Sequence, residues 1–394
     1  MKKIAILTQP LKGNYGGIIQ NYALQEVLRG GGFEVETIAR EYGRDATATR
    51  RFLAHLKNDT YNWVVGKRKK IFSKKEAEFI FAENTRFIQE RIGLSPKLYD
   101  TAGLAQYFKN RDFDAVIVGS DQTWRPKYSP AIGNYFLDFL VDNSRIYKMA
   151  YAASFGTDEW EFTEREREEC STLIEHFDAV SVREKSAVSL CQQFLNVEAE
   201  WVLDPTLLLT QADYRKLYSH KDGHKKGVFT YILDTDVKKR ELVEKVANKL
   251  NVSVYTHQPH RPIEGGNVYD FDNLDDFKYP APEGWLQSFD DADFVLTDSF
   301  HGTVFAILFN KPFYAIVNDA RGAARFHSLL QMFDLEHRLI TCIDTFKLNT
   351  GKLDINYQHV NEKLTQWRGK CAVFLQQNLA NLLNDHKAYE KFSV

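Results

Sequence analysis

A chain of 394 residues exceeds the size at which one hydrophobic core keeps growing, so two domains are the default expectation. Its 44% hydrophobic and 26% charged residues are those of an ordinary globular protein, and a net charge of -2 excludes a polyelectrolyte role on nucleic acid. Cys170, Cys191, Cys342 and Cys371 stand far apart, with no C-x-x-C and no paired histidine, which argues against zinc and redox chemistry and for a reduced cytosol.

The N-terminus, "MKKIAILTQPLKGNYGG", opens with the lysines of a secretion signal, but its apolar run stops at "IAIL". "KIAILT" reads instead as a parallel strand and "QPLKGNYGG" as a loop. "IIQNYALQEVLR" is amphipathic at helical spacing through Ile18, Tyr22 and Val27. Gly30 to Gly32 end that helix, and "FEVETIA" alternates as a strand. Residues 44–110 are charged and helical, and read as an insertion or a pair of surface helices. Within them the basic run 66–75, "GKRKKIFSKK", is either a solvated helix face or a peripheral contact with anionic lipid.

"FDAVIVGSDQTW" is a strand running into a polar loop, and "YKMAYAASFG" and "FDAVSVRE" repeat that design before "AEWVLDPTLLL". The second half restarts with "GVFTYILD", a charged helix over 237–250 and the strand "VSVYTH". A loop rich in glycine and proline follows, through "HRPIEGGN" and "YPAPEGW". Then come the strand "DFVLTDS", the helix "GTVFAILF", the strand "FYAIV", the helix "AARFHSLLQMF" and a tail, 357–390, that reads as one long helix. The pattern predicts an α/β protein of two Rossmann-like domains facing each other across a cleft. Asp204–Pro205 is the predicted boundary, giving domains 1–205, with the insertion, and 206–394, ending in the long helix. No stretch approaches the roughly 18 apolar residues of a spanning helix, so a cytoplasmic protein is expected, with any membrane contact peripheral.

Open parallel sheets bind ligands outside the carboxyl ends of their strands. The polar residues there are Asn14, Tyr15, Gly16 and Gly17; Ser120, Asp121 and Gln122; Ser154; Arg183; Asp204–Pro205; and Asp298, Ser299, His301 and Gly302. "GNYGG" is not a dinucleotide fingerprint, although paired glycines before a helix let amides approach an anion; a tight strand-to-helix turn is the alternative. Arg183 is either an ion pair with Glu184 or a clamp for carboxylate or phosphate. His301 is either a capping or core histidine or an acid–base group, and Asp298 or Ser299 could cap its helix. Phe305 and Phe309 read as core.

Taken in order, "NYGGIIQNYALQ", "VGSDQTW", "ASFG", "SVRE", "DPTLLL" and "TDSFHGTVFAILFNKPF" resemble the polysaccharide pyruvyl transferase family over residues 14–317. The resemblance implies a GT-B-like fold. It also implies transfer of pyruvate from phosphoenolpyruvate, a donor substrate rather than a cofactor, onto two hydroxyls of one sugar as a cyclic ketal, with release of phosphate and no metal. The acceptor is then a sugar or lipid-linked oligosaccharide destined for a capsule, exopolysaccharide or cell wall. Carried over, His301 with Asp298 is catalytic and Arg183 binds the donor anion, while the glycine loop, "GSDQTW", Ser154, Ser299 and Gly302 line the cleft. Phe300 stands where the family's pattern accepts a basic residue, and Arg321 or Arg325 is the candidate replacement. A helix N-terminus disfavours imidazolium, so His301 is expected to act as an acid once bound phosphate, or Asp298, offsets that field. A nucleotide-sugar glycosyltransferase and a non-catalytic glycan-binding protein of the same fold are the alternatives.

Overall fold

The computed structural model describes residues 1–43, 69–70, 72–219, 226–234, 236–261, 268–269, 273–318 and 322–382. Its strands are β1 (Lys3–Leu7), β2 (Glu34–Ile38), β3 (Lys69–Lys70), β4 (Ala115–Val118), β5 (Tyr147–Ala153), β6 (Ala179–Val182), β7 (Glu200–Trp201), β8 (Val228–Tyr231), β9 (Val254–Thr256), β10 (Val268–Tyr269), β11 (Phe294–Thr297), β12 (Phe313–Ile316) and β13 (Leu339–Ile340). They form two wholly parallel sheets, ordered β2-β1-β4-β5-β6-β7 and β13-β12-β11-β8-β9, and an antiparallel ribbon of β3 with β10. β4, β8, β11 and β12 are buried at every residue, as strands covered by helices on both faces must be. The expected fold class, two α/β units across a cleft with a long last helix, is therefore observed.

Three departures from the sequence reading matter for the site. The Thr101–Lys109 helix, capped by Asp100 on the Gly103 amide at 2.7 Å, lies between β2 and β4 and is an ordinary crossover rather than an insertion. Two helices before it, Lys74–Ile80 and Ala82–Arg91, strap the first unit to the second. There Arg86 donates to both oxygens of Glu283 at 2.8 and 2.9 Å, the Tyr279 amide donates to Ile80 at 2.9 Å, and Phe81 stacks on Tyr279 at 5.0 Å. Residues 66–68 and 71 of the basic run, on which the expected lipid contact rests, lie outside the described residues. Second, "YPAPEGW", read as loop, is loop only as far as Ala281. Pro282 opens a helix to Asp291, where proline's missing N–H is harmless, and that helix buries Trp285, Leu286 and Phe289.

Third, the last helix (Tyr357–Leu379) leaves the second unit and finishes against the first sheet. The Leu203 amide donates to Cys371 Sγ at 3.3 Å, the Tyr147 hydroxyl to Asn378 at 3.0 Å, and Arg368 reaches the carbonyls of Leu207 and Leu209. A second tie is made by glycine alone: a Cβ on Gly322, whose φ is +103°, would fall 1.6 Å from the carbonyl oxygen of Gly156. Among the described residues no helix is long and apolar enough to cross a membrane.

Candidate active site

The carboxyl ends of both sheets open into one cleft of about 820 Å³. Asn14, Tyr15, Gly17, Tyr42, Asp121, Gln122 and Tyr128 line it from the first unit; Tyr231, Tyr279, Asp298, Ser299, His301 and Arg325 line it from the second. The stretch read as a glycine loop is shorter than expected, because the first helix already starts at Tyr15. Gly16 and Gly17 therefore occupy its first turn, and Asn14, at the capping position, makes no side-chain cap bond. A Cβ on Gly16 would lie 2.1 Å from His301 Nδ1. Only glycine lets the imidazole of one unit rest against the helix start of the other. Tyr15 spans the same junction, donating to the Pro280 carbonyl at 2.7 Å and stacking on Trp285 at 5.6 Å.

His301 sits in the first turn of the Phe300–Leu308 helix, directly after β11. Ser299 caps that helix by accepting from the Gly302 amide at 3.3 Å. Gly302 is required by packing, since a Cβ there would meet Thr297 Oγ1 at 2.1 Å. Ser299 and Gly302 thus build the turn that presents the histidine, and the Gly302 amide is already committed. The pairing expected between Asp298 and His301 is corrected by the same turn. Asp298 accepts from the Leu233 and Asp234 amides at 2.7 and 3.2 Å and from Lys239 Nζ at 2.7 Å, with its side chain fully buried. The carboxylate facing His301 is Asp204, with Oδ2 3.7 Å from Nε2. Among the described residues that nitrogen has no hydrogen-bond partner, and Nδ1 is the nitrogen turned toward the first helix.

Arg183 lies behind the cleft wall, not on it, its guanidinium 4.6 Å from the Phe300 ring. It is held by Asp204 at 2.8 Å, Asp121 at 3.3 Å and Glu184 at 3.5 Å, so both alternatives for it narrow to a buried ion cluster. Ser120 donates to Asp204 at 3.0 Å and Ser154 donates to Glu184, which places both hydroxyls inside the cluster rather than in the cleft. Burial pushes the Glu184 carboxyl up, against the pull of Arg183 and Ser154. Burial also pushes on Asp204, yet His301, Arg183 and Thr206 together hold its carboxyl well below the ordinary range. Arg325 does line the cleft, as Arg240 does, and its guanidinium lies 5.6 Å from the Phe300 ring. Burial, reinforced by the like charge of Arg183, brings its guanidinium down to about 10. Arg321 lies outside the described residues.

Asp121 combines position with strain. Its φ is +76°, a conformation that residues with a side chain rarely adopt. Oδ1 accepts from the Gln122 amide at 2.9 Å and from Arg183 at 3.3 Å. The sequence reading missed Asp204 as a partner of His301, although "DPT" follows a strand as the other site motifs do. It also missed the tyrosine rim. There Tyr42, 63% exposed, donates to the Tyr128 carbonyl, and Gln9 ties the Gln122 carbonyl and Ser129 at 2.9 and 3.1 Å.

The model of the family described as polysaccharide pyruvyl transferase matches residues 14–320. No curated protein matches the sequence. Among solved structures, Staphylococcus aureus MnaA with UDP is 13% identical at a TM-score of 0.49, covering 100% of this chain and 91% of that one. Acinetobacter baumannii MurG is 11% identical at 0.44, covering 94% and 95%. The UDP-GlcNAc 2-epimerase of Methanocaldococcus jannaschii, with UDP-GlcNAc and UDP, is 12% identical at 0.45, covering 92% and 93%.

Proposed function

The chain belongs to the polysaccharide pyruvyl transferase family, and from that premise we propose that it moves pyruvate from phosphoenolpyruvate onto two hydroxyls of one sugar in a surface-glycan precursor, as a cyclic ketal, releasing phosphate. The observation that carries this reading is the contact of His301 with Gly16, which sets a proton-transfer group against the start of the first helix. Because Asn14 does not cap that helix, its first-turn amides remain as donors for a phosphate dianion. The other helix start, capped by Ser299, presents the histidine instead. Arg325 supplies the positive charge for the donor carboxylate, replacing Arg183, which serves to hold Asp204 and Asp121.

The tyrosine rim suits an acceptor pyranose, whose C–H face packs on an aromatic ring while its hydroxyls reach inward. A cytoplasmic protein acting on a sugar or lipid-linked oligosaccharide is the corresponding setting. The test is to supply phosphoenolpyruvate with a panel of acceptor sugars, following phosphate and the product's mass. Acceptor-dependent phosphate release and a ketal product are expected, with His301→Ala lowering turnover by about 100-fold or more. Product formed from a nucleotide sugar, with no use of phosphoenolpyruvate, would sink this reading.

A further inference from the structure

To close the proton balance of the transfer proposed above, one histidine would have to give up and regain a proton twice, at four separate atoms. Two hydroxyl protons leave the acceptor. One is matched by the proton that turns the vinyl carbon into a methyl group; the other must leave with phosphate. A second acid–base group that starts without a proton divides that work, taking the first hydroxyl proton and passing it to phosphate. We propose that Asp121 is that group, on the premise of pyruvyl transfer.

The steps balance as follows. His301 gives its proton to the vinyl carbon, and the first acceptor oxygen bonds to the adjacent carbon while its proton passes to Asp121 Oδ2. The bond from that carbon to the phosphate oxygen then breaks, and the Asp121 proton leaves on phosphate. The second hydroxyl oxygen bonds to the same carbon, and its proton returns to His301. Both side chains end as they began.

The geometry supports this division of labour. Adjacent glycines in one helical turn meet the two groups: a Cβ on Gly16 would touch His301 Nδ1, and one on Gly17 would lie 3.4 Å from Asp121 Oδ2. The two groups therefore flank one turn of the first helix and open into one cleft. Both hydrogen bonds that hold Asp121 fall on Oδ1, which leaves Oδ2 for substrate among the described residues. The positive φ aims the carboxylate there, an unfavourable backbone retained at a site where pre-organisation matters. The other carboxylates considered among the described residues are unsuited. Asp298 is held by two amides and Lys239, and Asp204 and Glu184 do not line the cleft. Glu244 lines it but is exposed on the Val237–Leu250 helix beside β9.

Asp121→Asn and Asp121→Gly test the assignment, because asparagine and glycine are the residues best suited to positive φ, so the fold should survive. Both are expected to keep the thermal midpoint of the wild type, or to raise it. Turnover should fall by about 100-fold or more while KM for phosphoenolpyruvate stays within about threefold. Formate, a carboxylate small enough to enter the space left in Asp121→Gly, should restore activity about tenfold or more, and should not rescue His301→Ala. Turnover in Asp121→Asn within about fivefold of wild type, or a loss in Asp121→Gly that formate leaves untouched, overturns the role of Asp121. A wild-type protein with no acceptor-dependent phosphate release overturns the transfer reading instead.

Discussion

Two buried ion clusters flank the cleft, and they are balanced differently. In the second unit Lys239 meets one carboxylate, Asp298, whose remaining capacity is taken by two backbone amides. In the first unit Arg183 is, among the described residues, the cation ion-paired with three carboxylates, those of Asp204, Asp121 and Glu184. A closed pair can only hold the chain in place. A surplus of carboxylate leaves acceptors over, and those acceptors face His301 and the cleft. Both clusters follow strands and both are buried, so burial alone does not identify a site. The unmatched charge does.

The largest expected effect comes from breaking the closed pair. Lys239→Met removes the one cation bonded to Asp298 among the described residues and leaves a buried carboxylate without that partner, a change that costs about 3–5 kcal/mol in proteins generally. Urea unfolding should show that loss, while the folded fraction keeps nearly wild-type turnover at saturating substrate. A loss below about 1 kcal/mol would mean that the pair is not the anchor described here.

Next comes the contact that joins the histidine to the first unit. Gly16→Ala would place a methyl group 2.1 Å from His301 Nδ1, so the imidazole must leave its position. Displacing a reacting group by about 1 Å can cost about 100-fold in rate, or about 2.7 kcal/mol in barrier. The clash also reaches His301 Cβ, at 2.8 Å, so a stability loss of about 1–3 kcal/mol should accompany the loss of rate. Gly17→Ala is the internal control: its nearest contact, Asn14 at 3.2 Å, needs only a small shift, and turnover should drop much less. Equal losses in the two variants would remove the special status of the Gly16 contact.

Much of the fold was legible because strands covered on both faces read as unbroken apolar runs, as "AVIV" of β4 and "FVLT" of β11 do. His301 was legible because it follows such a strand. Asp298 misled for the same reason: adjacency along the chain suggested a partner for the histidine, whereas the strand-to-helix turn sends the carboxylate to Leu233 and Asp234. Asp204 became the neighbour of His301 only through contact between units, which no local pattern encodes. Arg183 looked like a ligand clamp because nothing in "SVRE" shows that Phe300 will cover it. The Pro282–Asp291 helix was hidden by Pro280, Pro282 and Gly284, which punctuate a sequence as loops do even when a proline merely opens a helix.

The smallest effect separates members of the open cluster from one another by pH. Asp204 has its folded carboxyl held below the unfolded value, so its contribution is present above ordinary aspartate titration and fades only as pH falls further. Glu184 has the opposite sign: burial raises its folded carboxyl, so the native state prefers the proton. Its contribution is therefore present below the ordinary glutamate range and is lost as pH rises through the raised folded value. Glu184→Gln keeps an acceptor for Ser154 and carries no charge at any pH. Measured by urea unfolding from about pH 4 to 8, the variant should gain on the wild type as pH rises. A difference that stays flat over that range would mean Glu184 is neutralised by Arg183 as fully as Asp298 is by Lys239, and the contrast between the two clusters would then rest on Asp121 and Asp204 alone.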